Sequence, residues 1–170
     1  GDMDLSPSGK RAVIEARGEL FSVPAEKGDV RNLTNTPGAR ERDPVWSPDG
    51  RRLAYWANSD GQRDVWTIGV EGGEPVAVTS DAATDWSPEW SPDGRWLAYF
   101  SDASGEFEIY VRAQDGQSAP VQITTNGDTY YFNLAWSPDS KKLLWGDRKQ
   151  RLRYVDVEKK VITVVAEHAT

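Results

Sequence analysis

The sequence predicts an all-β chain, a β-propeller of four blades, each blade a sheet of four antiparallel strands. Three observations carry that expectation. The motif Trp46-Ser47-Pro48-Asp49-Gly50 returns as Trp90-Ser91-Pro92-Asp93-Gly94 and as Trp136-Ser137-Pro138-Asp139-Ser140, with a decayed copy at Leu5-Ser6-Pro7-Ser8-Gly9. The steps between copies are 41, 44 and 46 residues, the length of one four-stranded propeller blade, and the helical periodicity that a two-helix repeat would need is missing. Between the motifs, short β-branched and aromatic runs alternate with turn residues. Finally, Leu53-Ala54-Tyr55-Trp56 and Leu97-Ala98-Tyr99-Phe100 are apolar on both alternating faces, so each strand must be covered from two sides, as in a stack of blades.

In repeat one the strands are read near 4–6 and at 12–16, 20–23 and 30–33. Repeat two is the clearest, with strand A at 44–47, B at 52–57, C at 64–70 and D at 75–79. Its Ser-Pro-Asp-Gly turn has sound chemistry: Pro fixes φ, Asp bonds its own backbone, and Gly accepts a positive φ. Repeat three gives 97–100, 108–112 and 121–124, and repeat four gives 143–145, 152–157 and 161–165. The blades then span approximately 2–35, 42–80, 86–125 and 132–167, joined by D–A connectors read as loops.

Composition removes several function classes. The 170 residues carry 20 Lys and Arg against 27 Asp and Glu, a formal charge of −7, which repels a phosphate backbone and argues against nucleic acid as a partner. No apolar run approaches the roughly 18 residues of a membrane span, so a soluble chain with no membrane partner is expected. The absence of cysteine rules out disulfides and thiolate metal sites and leaves the compartment open between cytoplasm and periplasm. A start at Gly1 with Met at position 3 suggests a processed, tagged or excised piece, or an engineered scaffold.

Catalytic chemistry finds little support. The single histidine, His168, stands two residues from the C-terminus, a poor place for the base of a nucleophilic triad. Asp81, Asp85 and Glu89 are candidates for paired acid/base work, some of them placed near the channel mouth by the connector, but acidic loop residues of an acidic protein are ordinarily solvated. Asn58-Ser59-Asp60-Gly61-Gln62-Arg63-Asp64 faintly has the spacing of a calcium loop and lacks the distal bidentate Glu, so it reads as a hairpin turn. Neither enzyme activity nor a cofactor or metal is expected.

Trp46, Trp90 and Trp136 occupy one repeat position and are expected between adjacent blades. Trp86 differs, because repeat two has Arg42 and repeat four Phe132 at its position. The D–A connectors would ring one mouth of the channel, which makes Arg40, Arg42, Asp43, Asp81, Asp85, Trp86, Tyr130, Tyr131, Phe132 and Asn133 the candidate surface for a peptide or protein partner. The competing reading is that these rings fill gaps between blades.

The Trp-Ser-Pro-Asp-Gly motif followed by Leu97-Ala98-Tyr99, the turn at Ser101–Gly105, Glu108-Ile109-Tyr110-Val111 and Gln122-Ile123-Thr124 resembles the propeller repeats of TolB-like proteins. More narrowly, the runs at 15–19, 23–34 and Tyr154-Val155-Asp156-Val157 resemble the N-terminal propeller of tricorn-type proteases. That resemblance implies a propeller that admits or filters peptides for a separate C-terminal region with a Ser nucleophile and a His partner, and nothing in this chain matches that region. It also implies six or seven blades to a ring. Four blades as an open arc would leave Val13, Ile14, Leu144 and Val164 partly in water, and a second copy would complete one eight-bladed ring as a homodimer. A closed four-bladed monomer is the alternative.

Overall fold

The computed structural model describes residues 3–59 and 61–167. Sixteen strands and no helix make up the described residues, arranged as four four-stranded sheets in which the strands follow chain order. Blade one holds β1 (Met3–Leu5), β2 (Arg11–Ala16), β3 (Glu19–Pro24) and β4 (Arg31–Asn32). Blade two holds β5 (Arg40–Trp46), β6 (Arg52–Asn58), β7 (Arg63–Gly69) and β8 (Val76–Ala77). Blade three holds β9 (Asp85–Trp90), β10 (Trp96–Ser101), β11 (Glu108–Ala113) and β12 (Val121–Gln122). Blade four holds β13 (Tyr131–Trp136), β14 (Lys142–Asp147), β15 (Arg151–Asp156) and β16 (Ile162–Glu167). All pairings are antiparallel, so every blade is a simple meander.

The repeated motif acts as a turn with its own internal clamp. In blade two the Ser47 hydroxyl donates to Asp49 at 2.7 Å, Asp49 accepts the Arg51 N–H at 3.0 Å, and Ser47 Oγ accepts the Arg52 N–H at 2.9 Å. Blades three and four repeat the set at Ser91-Asp93 and Ser137-Asp139. In blade one Ser8 replaces the Asp, and its hydroxyl lies a looser 3.3 Å from Ser6 Oγ. A neutral hydroxyl is a weaker acceptor than a carboxylate, which is the physical content of the decay seen in the first copy.

The motif Trp then ties each blade to the one before it. The Trp46 indole N–H donates to the carbonyl of Asp4 at 3.3 Å, Trp90 to that of Val45 at 3.3 Å and Trp136 to that of Glu89 at 3.0 Å. In every case the acceptor is the residue just ahead of the motif in the preceding blade. Trp46 and Trp90 are buried and Trp136 is half-buried, so the expected placement between blades holds for all three. Three apolar clusters fill the three junctions. Val13, Leu20 and Leu33 meet Trp46, Leu53 and Ile68; Ala54, Val65 and Val78 meet Trp90, Leu97 and Tyr99; and Phe100, Ile109 and Val111 meet Tyr131, Leu143 and Trp145.

Packing runs from blade one to two, two to three and three to four. The far faces of blades one and four stay open, with Leu5 at 66% and Leu152 at 38% exposure. The molecule is therefore an open arc, and the alternative of a closed four-bladed ring does not describe it. One residue expected at an open end is elsewhere. Val13 is fully buried against blade two, because alternation along β2 sends it to the opposite face from Ile14. Ile14 is half-exposed, Leu144 is 37% exposed and Val164 is 50% exposed, as expected.

Strand A is longer than the sequence reading gave it. Rather than starting at residue 44, it runs back to Arg40 in blade two, and residues 85–86 and 131–133 join β9 and β13. Each long strand contains a bulge, where the pairing shifts between Arg42 and Val45, between Trp86 and Glu89, and between Phe132 and Ala135. A left-handed residue sits in each bulge: Asp43 at φ 51°, Ser87 at φ 52° and Asn133 at φ 55°. The extra residue breaks the alternation on which sequence reading depends and bends the strand at the propeller axis.

Candidate functional site

The three bulges converge on the axis. With Met3 they line an open groove of about 700 Å³ whose walls are Asp43-Pro44-Val45, Ser87-Pro88-Glu89 and Asn133-Leu134-Ala135. Equivalent positions of three blades thus supply an equivalent stretch of wall, so the site is written by the repeat itself. Sequence reasoning missed most of these residues. The available signal was the pairs Asp43-Pro44 and Ser87-Pro88, each beginning three residues ahead of a motif Trp.

The groove is acidic. Asp4 is engaged, accepting the Trp46 backbone N–H at 2.8 Å and the Leu5 N–H at 2.8 Å, and Asp43 accepts the Trp56 indole at 2.7 Å. Glu89, half-buried in the groove wall, has no hydrogen bond to hold its charge. Burial, with the nearby Asp4 and Asp43 adding to it, pushes its pKa up to about 8. A cation entering the groove would meet a carboxyl that gains from ionising.

Of the residues singled out from the sequence, the structure brings Asp43, Glu89 and Asn133 together at this groove and sends several others into the core. Trp86 is 6% exposed. Its ring stacks on Tyr130 at 5.5 Å and meets the edge of Phe107 at 4.3 Å. A contact surface at Trp86 is thus replaced by a core position, because blade four covers the face of β9 that the connector reading left open. Tyr131 is also buried, at 1%, between the rings of Phe100 and Trp145.

Asp85 is fully buried. No well-directed hydrogen bond reaches its oxygens, and burial pushes its pKa up to about 6, with the Ser101 and Thr79 hydroxyls pulling it back. These three side chains offer nothing to a ligand at the surface.

Arg40, Asp81, Tyr130 and Phe132 are exposed and Arg42 is half-exposed, so they remain accessible without lining the groove. Tyr130 lies under the Arg148 guanidinium at 5.0 Å, and Asp81 accepts the Ala83 N–H at 2.8 Å. The connectors also carry structural bonds. Thr34, Thr79 and Thr124 each accept a backbone N–H from strand C of their own blade, from Leu20, Val65 and Ile109 respectively. Their hydroxyls donate to the carboxylates of Glu41, Asp64 and Glu108. The buried Glu41 is pushed up by burial, against the pull of the Thr34 and Thr36 hydroxyls.

The loop with calcium-like spacing behaves as a turn, with Asn58 Oδ1 accepting the Gly61 N–H at 3.0 Å and Gly61 at φ 98°. Its Asp60, like His168, lies outside the described residues. Among the described residues no group of three or more His, Asp or Glu side chains could hold a metal ion, and no helix is long and apolar enough to cross a membrane.

Comparison with known proteins decides the family. A model of the TolB β-propeller domain matches residues 15–169. The chain belongs to the TolB β-propeller family. This TolB-type chain superposes on a putative TolB from Agrobacterium tumefaciens with a TM-score of 0.84 at 21% identity, over 98% of its own length and 64% of that chain. It superposes on TolB from Acinetobacter baumannii with a TM-score of 0.79 at 18% identity, over 99% of its length and 44% of that chain. In sequence it is 31% identical over 68 residues to an uncharacterized protein of Agrobacterium fabrum, covering 40% of this chain and 23% of that protein. The TolB-type arc thus spans under two thirds of each of these relatives.

Proposed function

We propose that this chain is a non-catalytic interaction module, a TolB-type propeller arc that holds a positively charged peptide or protein segment in its axial groove. The observation that carries the proposal is the convergence of three bulged strands on one acidic groove with Glu89 at its wall. Asp4 and Asp43 already accept backbone and indole N–H groups, which makes Glu89 the carboxyl of the groove wall that a ligand's cation would engage. The chain also superposes on a puromycin-hydrolyzing peptidase from Mycobacterium tuberculosis, covering 32% of it, and the likeness to a peptidase supports a peptide as the groove's occupant. The resemblance to tricorn-type propellers points the same way, to admission or filtering of peptides.

Fluorescence anisotropy with labelled Lys-rich, Glu-rich and neutral peptides tests the proposal. The Lys-rich peptide should bind, and bind more tightly at pH 9 than at pH 6.5, because a cation favours ionised Glu89. Glu89→Gln should weaken binding and remove the pH dependence. Indifference to peptide charge, or to Glu89→Gln, would overturn the proposal.

A further inference from the structure

We propose that a pocket between the motif turns of blades two and three binds a small zwitterion, an aliphatic α-amino acid, with its carboxylate on Arg52 and its ammonium on Gln114 and Asp49. The pocket lies between the turns at 47–50 and 91–94 and has a volume of about 360 Å³. The inference is independent of what the axial groove binds.

Two repeat positions meet at this pocket, and each is filled differently from its counterparts. The first is the residue whose backbone N–H donates to the motif Ser hydroxyl: Arg11, Arg52, Trp96 and Lys142 in blades one to four. The Arg11 guanidinium is closed off, since Nε donates to the Ser22 hydroxyl and a terminal nitrogen to the carbonyls of Ser22 and Asp29. Arg52 donates from one terminal nitrogen to the Thr67 hydroxyl at 2.6 Å. Among the described residues no carboxylate pairs with it.

The second position follows strand C, where the backbone N–H donates to the carbonyl of Lys10, Arg51, Arg95 or Lys141; its occupants are Ala25, Val70, Gln114 and Val157. Val70 and Val157 pack into the apolar clusters of their junctions. Gln114 brings an amide instead. The junction of blades one and two thus combines Arg11 with Val70, and that of blades three and four combines Trp96 with Val157. The middle junction alone combines two polar side chains, Arg52 and Gln114, and both line the pocket.

These two side chains do not satisfy each other. Arg52 Nε and Gln114 Oε1 are buried with no hydrogen-bond partner, a donor and an acceptor that folding has stripped of water. Asp49 adds a negative charge to the same pocket. Its Oδ1 accepts the Ser47 hydroxyl and the Arg51 N–H, and those bonds hold its carboxyl below the ordinary carboxylate range. A carboxylate suits the guanidinium, and an ammonium suits the amide and carboxylate oxygens. An anion alone would meet Asp49 and a cation alone would meet Arg52, so the pocket selects a ligand that carries both charges on adjacent atoms. Pro48, Pro92 and Trp90 supply apolar wall for an aliphatic side chain.

Isothermal titration calorimetry on the 170-residue chain with L-leucine tests the proposal, against N-acetyl-L-leucine, which lacks the ammonium, and L-leucinamide, which lacks the carboxylate. Leucine should bind saturably at millimolar concentration, and each blocked form should bind about tenfold more weakly or worse. No saturable binding of leucine, or equal binding of either blocked form, would overturn the zwitterion. Gln114→Val installs the residue that blades two and four carry at that position, and Arg52→Gln removes the guanidinium. Each variant should keep the wild-type far-UV spectrum and lose about tenfold in leucine affinity. Wild-type affinity in either folded variant would overturn the pocket as the site. Competition between leucine and the Lys-rich peptide would also overturn it, by putting leucine in the axial groove.

Discussion

Replacing Trp90 by Ala removes a ring that lies 93% out of solvent between blades two and three, where Val45, Ala54, Val65, Leu97 and Tyr99 surround it. Truncation of a buried aromatic to Ala costs about 3–5 kcal/mol, because the transfer energy is lost and the walls relax only in part. The indole bond to the Val45 carbonyl, 3.3 Å long, adds about 1 kcal/mol, which places the expected loss near the top of that range.

Trp90→Phe keeps most of the ring and loses the N–H, so it should cost about 2 kcal/mol. Urea unfolding followed by far-UV circular dichroism measures both, at one protein concentration so that association does not enter the comparison. A loss below about 1 kcal/mol for Trp90→Ala would refute the reasoning, since no ring held between two sheets is removed so cheaply. Trp86→Ala should now cost a similar amount, because Trp86 is as buried as Trp90.

Stability should fall as pH rises from about 4.5 to about 8, because folded Glu89 keeps its proton to about pH 8 against an ordinary 4.5, so the folded state binds more protons than the unfolded one across that window. Asp85, raised to about 6, adds to the slope at its acid end, and thermal melts of Glu89→Gln should show a shallower dependence and a higher Tm at pH 8; an unchanged slope would count against the assignment. Gly116→Ala should be destabilising by more than about 1 kcal/mol, since Gly116 sits at φ 69° and an added Cβ would come within 2.5 Å of the Ala77 carbonyl oxygen. Asp49→Ala should cost about 1 kcal/mol in urea unfolding, through the loss of the Ser47 and Arg51 bonds that close its turn.

The blades were legible in the sequence because turn chemistry and two-sided apolar strands are local signals. Strand B of blade two was read at 52–57 and spans Arg52–Asn58, and the motif Trp residues stand where their repetition put them. The start of strand A was not legible, because the left-handed residues Asp43, Ser87 and Asn133 shift the register there. Asp and Asn tolerate that conformation and hint at it, whereas Ser87 gives no such hint. The groove was partly legible for the same reason: Asp43 and Asn133 stand out as connector residues and Glu89 as a carboxylate near the channel mouth, while Val45 reads as ordinary strand and Pro88 and Ala135 carry no signal. Trp86 was misplaced because its burial is decided by a sheet some 45 residues further along, and nothing beside it in the chain records that sheet's position.

The indole bonds between blades all point one way along the chain, with the donor always in the later blade. During synthesis from the N-terminus, the accepting carbonyl of Asp4, Val45 or Glu89 therefore exists roughly one blade before the indole that will reach it. A nascent blade always meets a finished surface and never has to wait for one. The arc can grow by addition to its newest end, in the manner of a solenoid that propagates from a formed repeat.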